Sequence, residues 1–143
     1  MIRIAVIDGQ GGGIGTTIIK RVKEVFGERA ELWALGTNAI ATAQMMKAGA
    51  NRGATGENAI RHSAAQVDVI IGTISILLAN AMMGEMTSSM VCAIGESKAA
   101  KLVLPLTQEP ISVVGTVREP LPHMVERLIT EHLLHLVSAK EAN

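Results

Sequence analysis

Five glycines stand within seven residues near the beginning of the chain, in the stretch Asp-Gly-Gln-Gly-Gly-Gly-Ile-Gly-Thr. Glycine lets the backbone adopt positive φ angles and come close to a ligand, and unpaired N–H groups at the start of a helix point towards an anion. The chemistry that this composition favours is the binding of a phosphate group by backbone amides. We therefore predict a cofactor-binding loop made of Asp8, Gly9, Gln10, Gly11, Gly12, Gly13, Ile14, Gly15 and Thr16.

The glycine-rich stretch lies between a predicted strand and a predicted helix. Residues 2–7 (IRIAVI) are typical of a strand, and residues 16–26 (TTIIKRVKEVF) carry apolar side chains at helical spacing. In a parallel sheet the ligand crevice lies beyond the carboxyl ends of the strands, and the loop after the first strand commonly holds the phosphate. This placement favours ligand binding over the alternative, a tight turn in which Asp8 caps the loop amides and no ligand is bound.

Apolar runs alternate with amphipathic stretches along the rest of the chain. Further strands are predicted at residues 31–35, 67–71, 101–106 and 111–115, and further helices at residues 39–48 and 122–139. This alternation predicts a three-layer, Rossmann-like α/β sandwich with a mostly parallel five-stranded sheet. Only four residues separate the last two predicted strands, too few for a parallel crossover, so one of them is expected to be an antiparallel edge strand.

Two other short segments are predicted to approach the glycine-rich stretch. Thr37 and Asn38 follow the second predicted strand, and Gly72 and Thr73 follow the third, so a parallel sheet would bring all four to one edge. These residues could contact the base or the ribose of a nucleotide. The alternative is that they act only as helix caps and turn formers.

Glycine and small polar residues also concentrate at residues 49–58 (GANRGATGEN), which we predict to be a mobile surface loop with a helix starting near Glu57. Within this segment, Arg52 is the candidate for a second contact with a phosphate or carboxylate, the alternative being a solvated side chain. Farther along the chain, Glu85 is an acid that could serve in catalysis, but it is expected to be a solvated helix residue, because the sequence identifies no partner for it.

The spacing of the glycines resembles one known cofactor loop without completing its pattern. Gly9-x-x-x-Gly13-x-Gly15 is similar to the loop of short-chain dehydrogenases, yet the chain contains no tyrosine to serve as that family's catalytic residue. The GxGxxG spacing of ordinary dinucleotide sites is also absent. The residues after the second predicted strand, Gly36-Thr37-Asn38, include no acid to bind a ribose. A dinucleotide is therefore a candidate cofactor without a recognised second contact.

Residues 9–17 also resemble the GKGGxGKTT phosphate loop of ParA-like ATPases. Gln10 and Gly15 stand where that pattern has lysines. Because the lysine that neutralises the β- and γ-phosphates is missing, we expect no hydrolysis of nucleoside triphosphates. The aspartyl nucleophile of haloacid-dehalogenase phosphatases would need a second aspartate two residues after Asp8, and that position is again Gln10.

Five segments distributed along the chain carry a resemblance to one family. They are IAVIDGQGGGIG (residues 4–15), LGTNAIAT (35–42), AGANRGATGENAI (48–60), VIIG (69–72) and GEMT (84–87). The family that they resemble consists of short bacterial proteins classified only as a domain of unknown function. The resemblance covers the full length of the chain and implies no established activity.

The length and charge of the chain limit its organisation and its partners. A chain of 143 residues suits a single Rossmann-like domain spanning residues 1–143. Thirteen Lys and Arg residues balance 13 Asp and Glu residues, without a long basic run. Because nucleic-acid binders usually present a broad positive field, we expect no nucleic-acid partner.

The single cysteine and the short apolar runs bear on where the protein is found. Cys92 cannot form an internal disulfide and is expected to be a small buried hydrophobic residue, which fits a reducing cytosol. The longest apolar run, residues 74–83, falls well short of the ~20 residues that span a bilayer. We therefore predict a cytoplasmic protein without a membrane partner.

Four methionines fall in a stretch that is apolar on nearly all sides, which indicates deep burial or a contact between subunits. They are Met82, Met83, Met86 and Met90. We accordingly expect a homo-oligomer, with a homodimer as the simplest form.

Three functional hypotheses follow from the sequence. The leading one is a Rossmann-like protein that binds a nucleotide or another phosphorylated small molecule at the glycine-rich stretch and senses, carries or stores it. The second is a small enzyme acting on a phosphorylated or nucleotide substrate, with Asp8 as a general base or magnesium ligand. The third is a structural or partner-binding module without a ligand. The sequence identifies neither a set of catalytic residues nor a set of metal ligands.

Overall fold

Five parallel strands form the sheet at the centre of the fold, and the computed structural model describes all residues from Met1 to Asn143. In chain order the strands are β1 (Ile2–Asp8), β2 (Ala30–Gly36), β3 (Arg52–Thr55), β4 (Val69–Thr73) and β5 (Ala100–Leu104). Their order across the sheet is β3-β2-β1-β4-β5, with each neighbouring pair parallel. This order is that of the first five strands of a Rossmann fold, so the predicted fold class is confirmed.

Helices cover both faces of the sheet. They are α1 (Gly13–Phe26), α2 (Ala39–Lys47), α3 (Glu57–Ala64), α4 (Ser88–Glu96), α5 (Leu121–Leu128) and α6 (Leu134–Glu141). One apolar core lies between the sheet and α1, α2, α5 and α6, and a second lies between the opposite face and α3 and α4. The fold is therefore a three-layer α/β/α sandwich.

The position of β1 at the centre of the sheet explains why its sequence is apolar almost throughout. Ile4 and Val6 pack into the first core, whereas Ala5 and Ile7 pack into the second, and none of the four is more than 1% exposed. A parallel strand covered on both sides needs apolar residues at consecutive positions rather than at alternate ones. Packing on both faces therefore fixes β1, and with it the place where the strand ends at Asp8.

The predicted surface loop at residues 49–58 is wrong in part, because it contains the edge strand β3. This strand pairs with β2 from Trp33 opposite Arg52 to Gly36 opposite Thr55. Gly53 permits close packing there, since an ideal Cβ at this position would lie 2.8 Å from Met46 Sδ. The small and polar composition that suggested a loop instead serves the packing of an edge strand. The helix predicted from Glu57 is confirmed as α3.

The strand predicted at residues 111–115 is also wrong, and with it the antiparallel edge strand. Residues 111–117 are exposed and have no regular secondary structure, and Val114 is 97% exposed. The β-branched side chains of this segment indicated strand propensity, but propensity forms a strand only where a neighbouring strand offers packing and hydrogen bonds. The sheet instead ends at β5, which pairs with β4 in parallel.

The helix predicted at residues 122–139 is confirmed in position but is not uniformly α-helical. A π-helical turn, Ile129–Leu133, joins α5 to α6. Buried residues recur at every fourth position: Val125, Ile129, Leu133 and Val137. In a regular α-helix a spacing of four drifts around the axis by about 40° per step, and the wider π turn offsets that drift. The π turn thus keeps these side chains on one face.

The residues expected to be buried around α4 divide into two groups. Met86 and Met90 are buried, whereas Met83 is 95% exposed. Cys92 is exposed, so its predicted burial is wrong: it lies on the outer side of α4, while Met90 and Ile94 face the core.

None of the helices combines the length and the apolar character that crossing a bilayer requires.

Candidate functional site

The glycine loop, residues 8–16, joins the carboxyl end of β1 to the start of α1. Gly12 precedes the helix with a φ of 73°, a left-handed conformation that suits glycine. A tight turn comes before it, closed by a 3.0 Å hydrogen bond from the Gly12 amide to the Gly9 carbonyl. Gln10 occupies this turn with a φ of 50°, although it is not a glycine. The loop is therefore a compact turn followed directly by the first turn of a helix.

Asp8 is 8% exposed, and its carboxylate lies under this loop. Oδ1 accepts a 2.8 Å hydrogen bond from the Gly9 amide, and Oδ2 accepts a 2.7 Å hydrogen bond from the Gly15 amide. Burial raises the pKa of the Asp8 carboxyl; the Gly15 and Gly9 hydrogen bonds act in the opposite direction, and the charge of Glu85 adds to the increase. Asp8 thus caps the loop amides, which is the contact that a purely structural turn requires.

The glycines of the loop have two different environments. An ideal Cβ would lie 2.5 Å from Thr37 Oγ1 at Gly9, 2.9 Å from Ala41 Cα at Gly12, and 2.5 Å from Met45 Sδ at Gly15. These three positions need glycine because the protein packs tightly against them. At Gly11 and Gly13, in contrast, an ideal Cβ would have no heavy atom within 4 Å. The backbone at these two positions faces open space.

The same open side of the loop carries amides without protein partners. The amides of Gly11, Gly13 and Ile14 donate to no side chain and to no loop carbonyl. The Gly15 amide donates to Asp8, and the Thr16 amide donates to the Gly12 carbonyl at 2.9 Å and begins the helical pattern. Thr16 Oγ1 is buried and has no hydrogen-bond partner. Donors that the fold leaves unused are therefore concentrated at the start of α1.

Glu85 is the functional candidate that the sequence interpretation placed wrongly. It was expected to be a solvated helix residue, but it lies before α4, and its Oε1 accepts three hydrogen bonds beside the glycine loop. The donors are Thr37 Oγ1 at 2.6 Å, the Gln10 amide at 2.8 Å and Asn38 Nδ2 at 2.9 Å. The one sequence signal was that residues 84–87 belong to the segments that carry the family resemblance.

The surroundings of Glu85 favour its ionised form. Burial alone would raise the pKa of the carboxyl, but the hydrogen bonds from Thr37, Gln10 and Asn38 together outweigh it, so the pKa lies below its ordinary value. At neutral pH the site accordingly contains a negative charge at the rim of the glycine loop.

A strained turn brings Glu85 to this place. Asn80, Met82 and Met83 all have positive φ values, of 67°, 59° and 56°. Each left-handed non-glycine residue costs about 1–2 kcal/mol, and such residues cluster at functional sites. The turn is closed by hydrogen bonds such as that from the Gly84 amide to the Asn80 carbonyl, at 3.0 Å. It presses Met82 against the glycine loop, since an ideal Cβ on Gly9 would lie 2.6 Å from Met82 Sδ.

Thr37 and Asn38 lie against the glycine loop at the end of β2. The Thr37 amide donates to the Asp8 carbonyl at 3.0 Å. Asn38 Nδ2 donates to the Gln10 carbonyl at 2.9 Å, while Asn38 Oδ1 accepts from the Ala41 amide at 2.9 Å and caps α2. These side chains therefore support the loop and Glu85 rather than remaining free.

Gly72 and Thr73 lie at the end of β4, beside β1. An ideal Cβ at Gly72 would lie 3.0 Å from the Ile7 carbonyl oxygen, so the position needs glycine for packing. Thr73 is buried, and its Oγ1 accepts a 3.2 Å hydrogen bond from the Ser75 amide at the start of a 3₁₀ turn, Ile74–Leu77. Neither residue forms a hydrogen bond with residues 9–16.

Arg52 is not near the glycine loop, so its prediction as a second phosphate contact is wrong. It begins β3, three residues before the end of the strand, a distance of about 10 Å along an extended chain. Its guanidinium lies 5.5 Å from the centre of the Trp33 ring and 3.8 Å from Glu31 Oε1. The formation of β3 thus places Arg52 at the amino-terminal end of an edge strand, whereas the glycine loop follows the carboxyl end of β1.

Four concave sites of the surface lie away from the glycine loop. Four cavities of about 360, 740, 450 and 530 Å³ are lined by residues outside the glycine loop. No group of three or more His, Cys, Asp or Glu side chains is arranged to hold a metal ion. The glycine loop is thus an exposed edge with unused donors rather than the wall of one of these cavities.

Comparisons with known proteins place the chain in a family without adding an activity. A search of curated protein sequences finds no match. Among solved structures, a universal stress protein in complex with cAMP matches 73% of this chain and 98% of that chain, with 18% sequence identity and a TM-score of 0.41. The cAMP is a ligand of that protein. The family model described as "Domain of unknown function (DUF3842)" matches residues 3–137, and the chain therefore belongs to this family.

Proposed function

We propose that the chain binds a small phosphorylated molecule, of the nucleotide or dinucleotide class, with a phosphate at the first turn of α1. In this role the protein senses, carries or stores its ligand. The observation that carries the proposal is the group of unused donors at the loop, the amides of Gly11, Gly13 and Ile14. Because these amides stand at the positive end of a 14-residue helix, an anion is the ligand that they suit.

The open space beside the loop supports the same proposal. Gly11 and Gly13 have no neighbour that would exclude a side chain, so internal packing does not account for glycine at either position. A ligand that approaches the backbone closely does account for it, since a Cβ would occupy the same space.

The two carboxylates of the loop limit where the phosphate can lie. Asp8 already accepts from the Gly9 and Gly15 amides, and Glu85 accepts from the Gln10 amide. The phosphate is therefore assigned to the remaining donors at the start of α1, the amides that neither acid uses. Asp8 has no assigned catalytic role, because both of its oxygens serve the loop.

Replacement of Gly13 by aspartate tests this assignment. The substitution Gly13→Asp meets no heavy atom within 4 Å, and an acidic residue in the first turn of a helix is favourable, so the fold should be retained. The new carboxylate would occupy the phosphate site and repel the phosphate. We expect the affinity for pyrophosphate and for ribonucleoside diphosphates to fall by about 10-fold or more, measured by isothermal titration calorimetry.

Gly95→Ala is the matched control, because Gly95 is also a helical glycine with no heavy atom near its ideal Cβ. It should leave the affinity unchanged. Failure of the unaltered protein to bind pyrophosphate or any nucleotide would overturn the proposal, as would equal binding by the unaltered protein and the Gly13→Asp variant.

A further inference from the structure

Glu85 lies where other doubly wound folds have an acidic residue at the end of the second strand, a residue that β2 of this chain does not supply. In doubly wound folds, an acidic residue close to the end of the second strand commonly binds the hydroxyls of a ribose. Here β2 ends at Gly36 and continues into Thr37 and Asn38, without an acid. Glu85 lies on these residues, with hydrogen bonds of 2.6 Å from Thr37 Oγ1 and 2.9 Å from Asn38 Nδ2. A remote segment thus supplies a carboxylate at the end of β2.

We infer that Glu85 accepts a hydrogen bond from a ribose hydroxyl of the ligand, so that the ligand is a ribonucleoside phosphate rather than a phosphate ester of any kind. The inference rests on the proposed function, because the phosphate at the start of α1 brings the ribose to this side of the loop.

The hydrogen bonds of Glu85 leave one oxygen for a ligand. Oε1 accepts all three protein donors, whereas Oε2 forms no hydrogen bond. The residue is partly exposed. A free carboxylate oxygen at the edge of a loop is a strong acceptor for a hydroxyl group.

The carboxylate is also held in place before any ligand arrives. Three donors from two different segments fix Oε1, and the turn with positive φ at Asn80, Met82 and Met83 fixes the backbone before Glu85. An acceptor that is already ordered loses little conformational freedom on binding. The strained turn therefore has a function in this arrangement, which is to place one acceptor beside the phosphate site.

The arrangement has one rival explanation, in which Glu85 occupies the place of the ligand's own anion. On that explanation, a ligand phosphate would displace Glu85 from Gln10, Thr37 and Asn38, and removal of the charge would strengthen phosphate binding. The two explanations predict opposite effects of the same substitution.

The test compares ribonucleoside diphosphates, their 2′,3′-dideoxy counterparts and pyrophosphate, titrated into the full chain by calorimetry. All four common bases are used, because the loop geometry does not select among them. We expect the best ribonucleoside diphosphate to bind about 10-fold or more tightly than its dideoxy counterpart. Glu85→Gln keeps an oxygen for the three donors but replaces the free carboxylate oxygen, so it should reduce this ratio several-fold while pyrophosphate binding is retained.

Glu96→Gln is the matched control, since Glu96 is an exposed acid of α4 and should leave the ratio unchanged. Equal binding of ribose and dideoxy ligands by the unaltered protein would overturn the inference while leaving the proposed function intact. Tighter pyrophosphate binding by Glu85→Gln would overturn it in favour of the displaced-anion explanation. Absence of binding by every ligand, pyrophosphate included, would overturn both the inference and the proposed function.

Discussion

The Glu85 carboxylate accepts a 2.6 Å hydrogen bond from the hydroxyl of Thr37, a residue 48 positions earlier in the chain. The same oxygen accepts from the Gln10 amide, 75 positions earlier. One acid therefore joins the end of β2 to the glycine loop that follows β1. Loss of this acid should affect both segments together, which makes the contribution of Glu85 to stability measurable apart from any ligand.

The stability that Glu85 contributes should depend on pH. Because the pKa of Glu85 is lowered in the folded state, its contribution is fully present above the ordinary pKa of a glutamate and is lost as the pH falls through the lowered value. Glu85→Gln should therefore cost about 1 kcal/mol at a pH of about 7, where charge-assisted hydrogen bonds are lost, and less at a pH of about 3. Urea unfolding at both pH values measures the difference. A cost that did not shrink in acid would contradict the assignment.

Asp8 should show the opposite dependence. Its pKa is raised in the folded state, chiefly by burial, so ionisation costs stability as the pH rises from the ordinary value of an aspartate through the raised one. Asp8→Asn removes this titration. Between acidic and neutral pH, the free energy of unfolding of the unaltered protein should therefore fall relative to that of Asp8→Asn. The two substitutions, measured in the same buffers, act as controls for each other, and a common trend would reject at least one pKa direction.

Relief of backbone strain at Gln10 should stabilise the fold. Gln10 has a φ of 50°, which costs a non-glycine residue about 1–2 kcal/mol, and glycine avoids that cost at an entropic penalty of about 0.5–1 kcal/mol. Gln10→Gly should thus raise the free energy of unfolding by up to about 1.5 kcal/mol. Gln10→Ala retains the strain and should show no gain, and a similar gain in both variants would rule out the backbone as the cause.

Two glycines of the loop should respond to alanine in different ways. A Cβ at Gly9 would lie 2.5 Å from Thr37 Oγ1 and 2.9 Å from Glu85 Oε1, so Gly9→Ala should destabilise the fold by about 1–3 kcal/mol. Gly11 has open space, and Gly11→Ala should change stability by less than about 0.5 kcal/mol. Thermal unfolding of the two variants side by side checks the packing of the loop, and equal losses would show that the tight environment is not confined to Gly9.

Local patterns in the sequence were sufficient for the framework of this site. The apolar run of β1, the glycines after it and the amphipathic pattern of α1 are contiguous, and each depends on neighbouring residues or on burial between two helical layers. For that reason the position of the glycine loop at the carboxyl end of the first strand could be predicted. The cap formed by Asp8 could also be anticipated, since its partners Gly9 and Gly15 lie within seven residues.

Only the tertiary structure decided the strand β3 and the place of Glu85. Residues 52–55 form a strand because β2 lies beside them, whereas residues 111–115, with stronger strand propensity, lie beside no strand and remain irregular. Glu85 gains its role from donors that are 47, 48 and 75 residues away. Strand pairing and long-range hydrogen bonds depend on which distant segments the fold brings together, and a local sequence pattern does not determine these contacts.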